Sequence, residues 1–315
     1  MQDCKRPRIG IIGTGAIGGF YGLMLARAGF EVHFLLRSDY AAVAEHGLRV
    51  NSAVYGTLQL SRLHAWQRVE QMPACDWLLV GSKTTGNAEL APLIGQLAAP
   101  GARVVLLQNG LAVEERLRPL LPDGLHLLGG LCFICVNRSA AGVIEHQALG
   151  AVNLGYHSGP CSSEAQGQAI AEEGAALFRA AGLESTAMAN LQQARWQKLV
   201  WNVPYNGLAV LLNAGTRRLM GNAESRALIH AIMLEVVEGA AACGHALPAG
   251  YAEQLLAVTD GMPDYLPSMY NDFALQRPLE LEAIYAAPLA AASEAGCELP
   301  KMRMLHQALC FLERG

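Results

Sequence analysis

Apolar positions in the first half of the chain alternate between short runs and longer stretches with helical spacing. Residues 8–13 read as a strand, 16–29 as an amphipathic helix and 31–36 as a second strand. The alternation continues with strands at 76–81 and 102–107 and helices near 86–98 and 111–120. Between them, 48–50 and 57–60 flank a glycine-containing turn and predict a hairpin, and strand-like runs recur around 125–137, 142–147 and 151–156. This order predicts an α/β fold, an open, doubly wound and mostly parallel sheet with helices on both faces.

From about residue 163 the texture changes to alanine- and leucine-rich helical segments, beginning with 164–181, and the last third reads as all helical. Pro248, Pro263, Pro267, Pro278, Pro288 and Pro300 mark helix starts or bends there. The boundary is placed near residue 188, giving domains 1–188 and 189–315.

Glycines at the end of the first strand carry the strongest chemical signal. Gly13, Gly15 and Gly18 form G-x-G-x-x-G at the point where an apolar strand meets a helix. Gly13 permits the tight turn, Gly15 lets backbone approach a pyrophosphate, and Gly18 lets the helix pack on the strand. Residues Gly13, Thr14, Gly15, Ala16, Ile17 and Gly18 are therefore expected to bind a dinucleotide, with the helix N-terminus facing the anion. With 33 glycines in the chain the spacing alone is weak, and its strand and helix context is what raises it. An acidic residue closing the second strand would select NAD; this chain has Arg37 and Ser38, which favour a 2′-phosphate and so NADP(H). Asp39, two residues beyond Arg37, argues the other way, and Arg37 also reads as an ordinary surface arginine.

Polar residues follow two further strands, Lys83 after 77–81 and Gln108-Asn109-Gly110 after 104–107, where a doubly wound sheet opens its ligand crevice. In the helical half, Lys198, Asn202 and Asn206 recur every four residues in a segment otherwise rich in Leu, Val and Trp. That spacing puts them on one helix face, where burial is costly unless something binds them. A polar substrate would serve, and so would a solvated face or an amide ladder. Pro204 is expected to bend this helix, and Trp196 and Trp201 are expected in the core. The polar groups at 268–272 and 277–282 read as solvated charge.

Composition limits the alternatives. Apolar residues make up 52% of 315 positions and charged ones 16%, with a net charge of -4. This describes a folded two-domain chain with no basic field for nucleic acid or an anionic membrane. No apolar run approaches a membrane span, and the polar start at 1–6 leads directly into the first strand, so a cytoplasmic location is expected. Eight cysteines, at 4, 75, 132, 135, 161, 243, 297 and 310, are scattered and expected to be reduced; Cys132 and Cys135 lie in an apolar strand and read as buried thiols. No ligand set for a metal is evident.

Taken together, GTGAIGG at 13–19, the strand ending in Arg37, Lys83, QNG at 108–110, KLVWNVPYN at 198–206 and SMYNDFALQRPLELE at 268–282 resemble the ketopantoate reductase (2-dehydropantoate 2-reductase) family nearly end to end. The resemblance implies an N-terminal Rossmann-type domain and a C-terminal all-helical domain of the 6-phosphogluconate dehydrogenase-like type. It implies NADPH-dependent reduction of a small 2-oxo acid, ketopantoate, to pantoate in pantothenate biosynthesis. Carried over residue by residue, the catalytic lysine falls on Lys198, its acidic partner on Glu280, and the carboxylate-binding serine on Ser268. The substrate asparagines fall on Asn109, Asn202 and Asn206, and Asn109 and Lys83 also contact the cofactor. The chain departs from the family pattern at 213–219 and at Trp201, Pro204 and Tyr205. A homodimer is compatible with this assignment, though the sequence sets no oligomeric state. A related NADP-dependent dehydrogenase with another oxo or hydroxy acid, and a non-catalytic NADPH-binding sensor, share the fold and stay open at this point.

Overall fold

The structure, a computed structural model, describes residues 6–314; Cys4 and the polar start at 1–5 lie outside them. Two compact units emerge. The first runs to Gln108 and resumes at Val113–Leu191, and the second comprises Asn109–Ala112 and the chain from Gln192 onward.

The first unit contains, in chain order, β1 (Arg8–Ile12), α1 (Ala16–Arg27), β2 (Glu31–Leu35), α2 (Tyr40–His46), β3 (Leu48–Ser52), β4 (Gly56–Leu60) and β5 (His64–Trp66). Then come β6 (Cys75–Val80), α3 (Asn87–Leu97), β7 (Ala98–Leu106), α4 (Val113–Leu117), β8 (His126–Ala140), β9 (Val143–Ser158), α5 (Glu164–Ala180) and β10 (Ala187–Met188). Six strands run parallel in the order β5-β2-β1-β6-β7-β8, the doubly wound arrangement in which ligands bind where the order reverses, here at β1 and β6. Their near-continuous apolar sequences suit burial on both faces. Beyond β8 the sheet turns antiparallel through β9, with the β3–β4 hairpin on its far edge.

Two differences from the sequence reading stand out. The three strand-like runs between 125 and 156 are two long, bulged strands, β8 and β9, joined at a tight turn through Gly142. The structure also adds α2 and β5, which are too short to show a period. The Cys132 and Cys135 thiols are both buried in β8, and burial pushes Cys135 up to about 11.

The second unit is helical: α6 (Leu191–Leu212), α7 (Thr216–Gly221), α8 (Ala223–Ala242), α9 (Tyr251–Asp260), α10 (Ser268–Ala274), a π-helical turn at Glu282–Ala286 leading into α11 (Ala287–Glu294), and α12 (Pro300–Arg314). Its core is built from Trp196, Leu199, Val200, Val203, Leu208, Ile232, Met233 and Leu305, all essentially inaccessible. The prolines sit where their missing N–H costs least, Pro267 immediately before α10 and Pro288 in the first turn of α11. Pro204 differs: α6 continues through it as helix from Leu191 to Leu212. No helix among the described residues is long and apolar enough to cross a membrane.

Candidate active site residues

In the first unit the predicted dinucleotide residues gather at the carboxyl ends of β1, β2 and β6. Gly13 has φ +85°, which a side chain would strain, and a Cβ there would run into the backbone of Ser82. A Cβ on Gly18 would overlap the carbonyl oxygen of Gly13, so the first turn of α1 lies directly against the loop. The space beside Gly15 is open. Gly15 caps α1 without a side-chain acceptor, and no acid stands in the first turn, so Ala16 and Ile17 present backbone donors with no built-in anion. Thr14 ties the loop to β2, its hydroxyl donating to the carbonyl of Leu35 at 3.0 Å. Gly81 N–H donates to the carbonyl of Ile12 at 2.8 Å, which places the Ser82-Lys83 loop against the glycine turn.

The buried hydroxyl of Ser82, in that loop, has no hydrogen-bond partner. An orphaned donor beside an open glycine loop fits a group that brings its own acceptor oxygens, as a dinucleotide pyrophosphate does. Lys83 is half-buried at the end of the β6 loop. Gln108 is buried and exchanges amide bonds with Asn87 at 3.0 and 2.6 Å while donating to the carbonyl of Ser82 at 2.9 Å. Arg37 is exposed just past β2. Ser38 donates its hydroxyl to Asp39 at 2.8 Å and is not idle.

In the second unit α6 carries Lys198, half-buried, and Asn202 and Asn206, both buried. The two asparagines differ. Asn206 donates to the carbonyl of Asn202 at 2.9 Å and accepts the N–H of Met269 at 3.3 Å, tying α6 to the start of α10, where Ser268 sits half-buried. The Nδ2 of Asn202 is buried with no partner. Leu111 N–H donates to the carbonyl of Ala283 at 2.8 Å, and Arg195 Nη1 reaches the carbonyl of Gly110 at 3.4 Å. The segment holding Asn109 is thereby fastened to both α6 and the π turn, which places Asn109 with the second unit's residues. Glu280 is buried just ahead of that turn, and its carbonyl accepts from Ile284 N–H at 3.1 Å. Tyr285, fully buried, anchors the turn to α6 by donating to the carbonyl of Val203 at 2.8 Å. Such π turns recur at functional sites.

The solvated-charge reading of 268–272 and 277–282 fails at Asp272 and Glu280, each only 4% exposed, while Arg277 and Glu282 are exposed as it expects. The burial of Asp272 and Glu280 could not be read locally, because the residues from 273 to 278 around them are exposed. Arg195, buried on the same face of α6 as Lys198 and Asn202, is a site residue that the sequence reading lacks; an arginine in so apolar a segment is the available signal. Trp201 and Tyr205 stack at 4.6 Å, with Trp201 donating to Thr259 Oγ1 at 3.1 Å, and burial pushes the Tyr205 phenol up to about 12. These departures from the family pattern belong to the packing of α6 against its helical neighbours.

The strand order and the glycine loop define the first unit as a dinucleotide-binding fold. Comparison with known proteins specifies it further. The ketopantoate reductase PanE/ApbA family matches residues 9–159, and its C-terminal counterpart matches residues 190–313. A 2-dehydropantoate 2-reductase of Nostoc sp. is 41% identical over 96% of this chain and 94% of its own. A crystal structure of 2-dehydropantoate 2-reductase from Geobacter metallireducens GS-15 superposes with a TM-score of 0.89 at 40% identity, covering 96% of this chain and 98% of that one. D-mandelate dehydrogenase, solved with NADH and anilino(oxo)acetate, shares the fold at TM-score 0.84 but only 21% identity. The chain belongs to the ketopantoate reductase family.

Proposed function

We propose that the protein reduces ketopantoate to pantoate with NADPH. The observation that carries this reading is the buried, unpartnered Nδ2 of Asn202, one helical turn from Lys198 in a chain of this family. A donor left unpaired in the interior costs about 1–3 kcal/mol, and a substrate hydroxyl or carboxylate would remove that cost. When bound, the reduced nicotinamide supplies hydride to the C2 carbonyl. Lys198 stabilises the developing alkoxide and delivers a proton to it. Glu280 holds the ammonium of Lys198, which keeps a cation tolerable away from bulk water. Ser268, Asn109 and Asn202 orient the acid, and Asn206 holds the α10 start that carries Ser268.

On the cofactor side Gly13, Thr14, Gly15, Ala16, Ile17 and Gly18 would cradle the pyrophosphate, with Lys83 nearby and Arg37 toward the 2′-phosphate. The seven described cysteines, all free thiols, support a cytoplasmic setting. The test is consumption of reduced nicotinamide with a panel of 2-oxo acids. Turnover of ketopantoate with NADPH is the expected result; turnover of another 2-oxo acid alone would reassign the substrate, and turnover of none would leave only dinucleotide binding.

A further inference from the structure

We propose that Arg138 is a selectivity residue for the dinucleotide: by neutralising Asp39 it makes the loop after β2 accept a 2′-phosphate. The inference rests on the NADPH reading above.

Asp39 lies four residues past the end of β2, in the turn that also carries Arg37. A carboxylate at the end of the second strand of this sheet binds a ribose 2′-hydroxyl and repels a 2′-phosphate. Asp39 also directly precedes α2, where an aspartate ordinarily accepts the first N–H groups of the helix, yet its side chain makes no capping bond. The carboxylate is turned elsewhere. Both oxygens lie 2.7 Å from Arg138 Nη1, Ser38 donates its hydroxyl at 2.8 Å, and Gly142 N–H approaches at 3.4 Å. Its side chain is only 9% exposed.

Arg138 arrives from 99 positions further along the chain, near the tip of the β8–β9 hairpin. That tip is held in place independently: Arg49 N–H donates to the carbonyl of Gly142 at 2.9 Å, and Gly142 packs against Val43 of α2. The pair therefore locks a preformed hairpin onto the turn that carries Arg37. The contact to Asp39 uses one nitrogen, and the Arg138 side chain remains 32% exposed. With Arg37, Asp39 and Arg138 together the turn has a net charge of about +1. Without Arg138 it would be neutral, with a poorly solvated carboxylate within the ~10 Å screening length of the incoming phosphate. A second cation thus does what Arg37 alone cannot, by cancelling the one acid in the loop.

The test compares wild type, Arg138→Ala, Asp39→Asn and the double variant by calorimetric binding of NADP+ and NAD+, and of 2′,5′-ADP and 5′-AMP as fragments differing only in the 2′-phosphate. Arg138→Ala should weaken NADP+ and 2′,5′-ADP binding about tenfold or more, as expected for exposing an uncompensated charge, with NAD+ and 5′-AMP changed less than about threefold. Adding Asp39→Asn should bring NADP+ binding back to within about threefold of wild type, because the offending charge is gone. A purely structural bridge predicts the opposite, equal losses for both dinucleotides and no recovery, and that result would overturn the proposal. A wild type that binds NAD+ as tightly as NADP+ defeats the NADPH reading itself. A wild type that prefers NADP+ alongside an Arg138→Ala variant with an unchanged preference defeats this inference alone.

Discussion

The side-chain amide of Asn206 donates to the carbonyl oxygen of Asn202, 2.9 Å away on the preceding turn of α6. The same amide accepts from Met269 N–H, so one residue braces its own helix and fixes the start of another. Asn202, with identical chemistry one turn earlier, has a bare Nδ2. The stripe read from the sequence as one polar face therefore divides into a strut and a donor.

Substitution should separate them. Asn206→Ala is expected to lower stability by about 1–3 kcal/mol, since the Met269 N–H loses its partner in a buried setting. Asn202→Ala should leave stability within about 0.5 kcal/mol, because no bond is lost, while raising KM for the oxo acid about tenfold. Denaturant melts and initial rates on both variants check this, and equal destabilisation by the two would refute the division.

Lys198→Ala should lower kcat by about 10²–10⁴-fold, the range for losing a positioned proton donor, with dinucleotide affinity nearly unchanged. Steady-state kinetics paired with a binding measurement reads both. A variant with near-normal kcat would remove Lys198 from the chemistry.

Gly18→Ala places a methyl group onto the carbonyl oxygen of Gly13. The helix must shift off the loop, at a cost of about 1–3 kcal/mol, and the cradle shifts with it. Dinucleotide affinity should fall more than about tenfold, whereas Gly15→Ala, facing open space, should keep the fold and lose affinity only through blocked approach. Calorimetry with thermal melts distinguishes the two.

Stability should fall on acidification through a relay that joins β1, β2 and β5, buried at His33 and half-exposed at Glu31. Trp66 Nε1 donates to His33 Nδ1 at 2.9 Å, so the His33 Nε2–H donates to Glu31 at 3.0 Å, and Arg8 pairs with Glu31 at 2.7 Å. Burial holds His33 below its ordinary range, and the His33 and Arg8 hydrogen bonds hold Glu31 at about 2. Both groups bind protons more readily when unfolded, so stability rises with pH. The His33 contribution is complete above about pH 6.5 and declines below it; that of Glu31, muted by its partial exposure, declines between about 4.5 and 2. Melting temperature against pH should therefore drop less steeply below pH 6.5 in His33→Gln, and an unchanged slope would contradict the assignment.

How much of this was legible depended on sequence distance. The glycine turn, the parallel strands and the Lys198 helix are local patterns, and they stand in the structure where periodicity put them. Chain order puts Asn109 in the 1–188 half, with contacts expected to both cofactor and substrate, whereas its segment is held by Ala283 and Arg195 of the helical unit. Asp39 reads in sequence as an argument against NADP, and its partner Arg138 lies 99 positions away, where no local pattern records it. The burial of Asp272 and Glu280 within an exposed stretch is likewise decided by tertiary packing, which no local pattern records.

Side-by-side kinetics with NADPH on ketopantoate and on 2-oxoisovalerate, which lacks the hydroxyl, tests the central claim most directly. A site whose asparagine donor reads that hydroxyl should favour ketopantoate by at least about tenfold in kcat/KM, the worth of one net hydrogen bond of ~1.4 kcal/mol. Equal values for the two acids, or no turnover of ketopantoate, would contradict it.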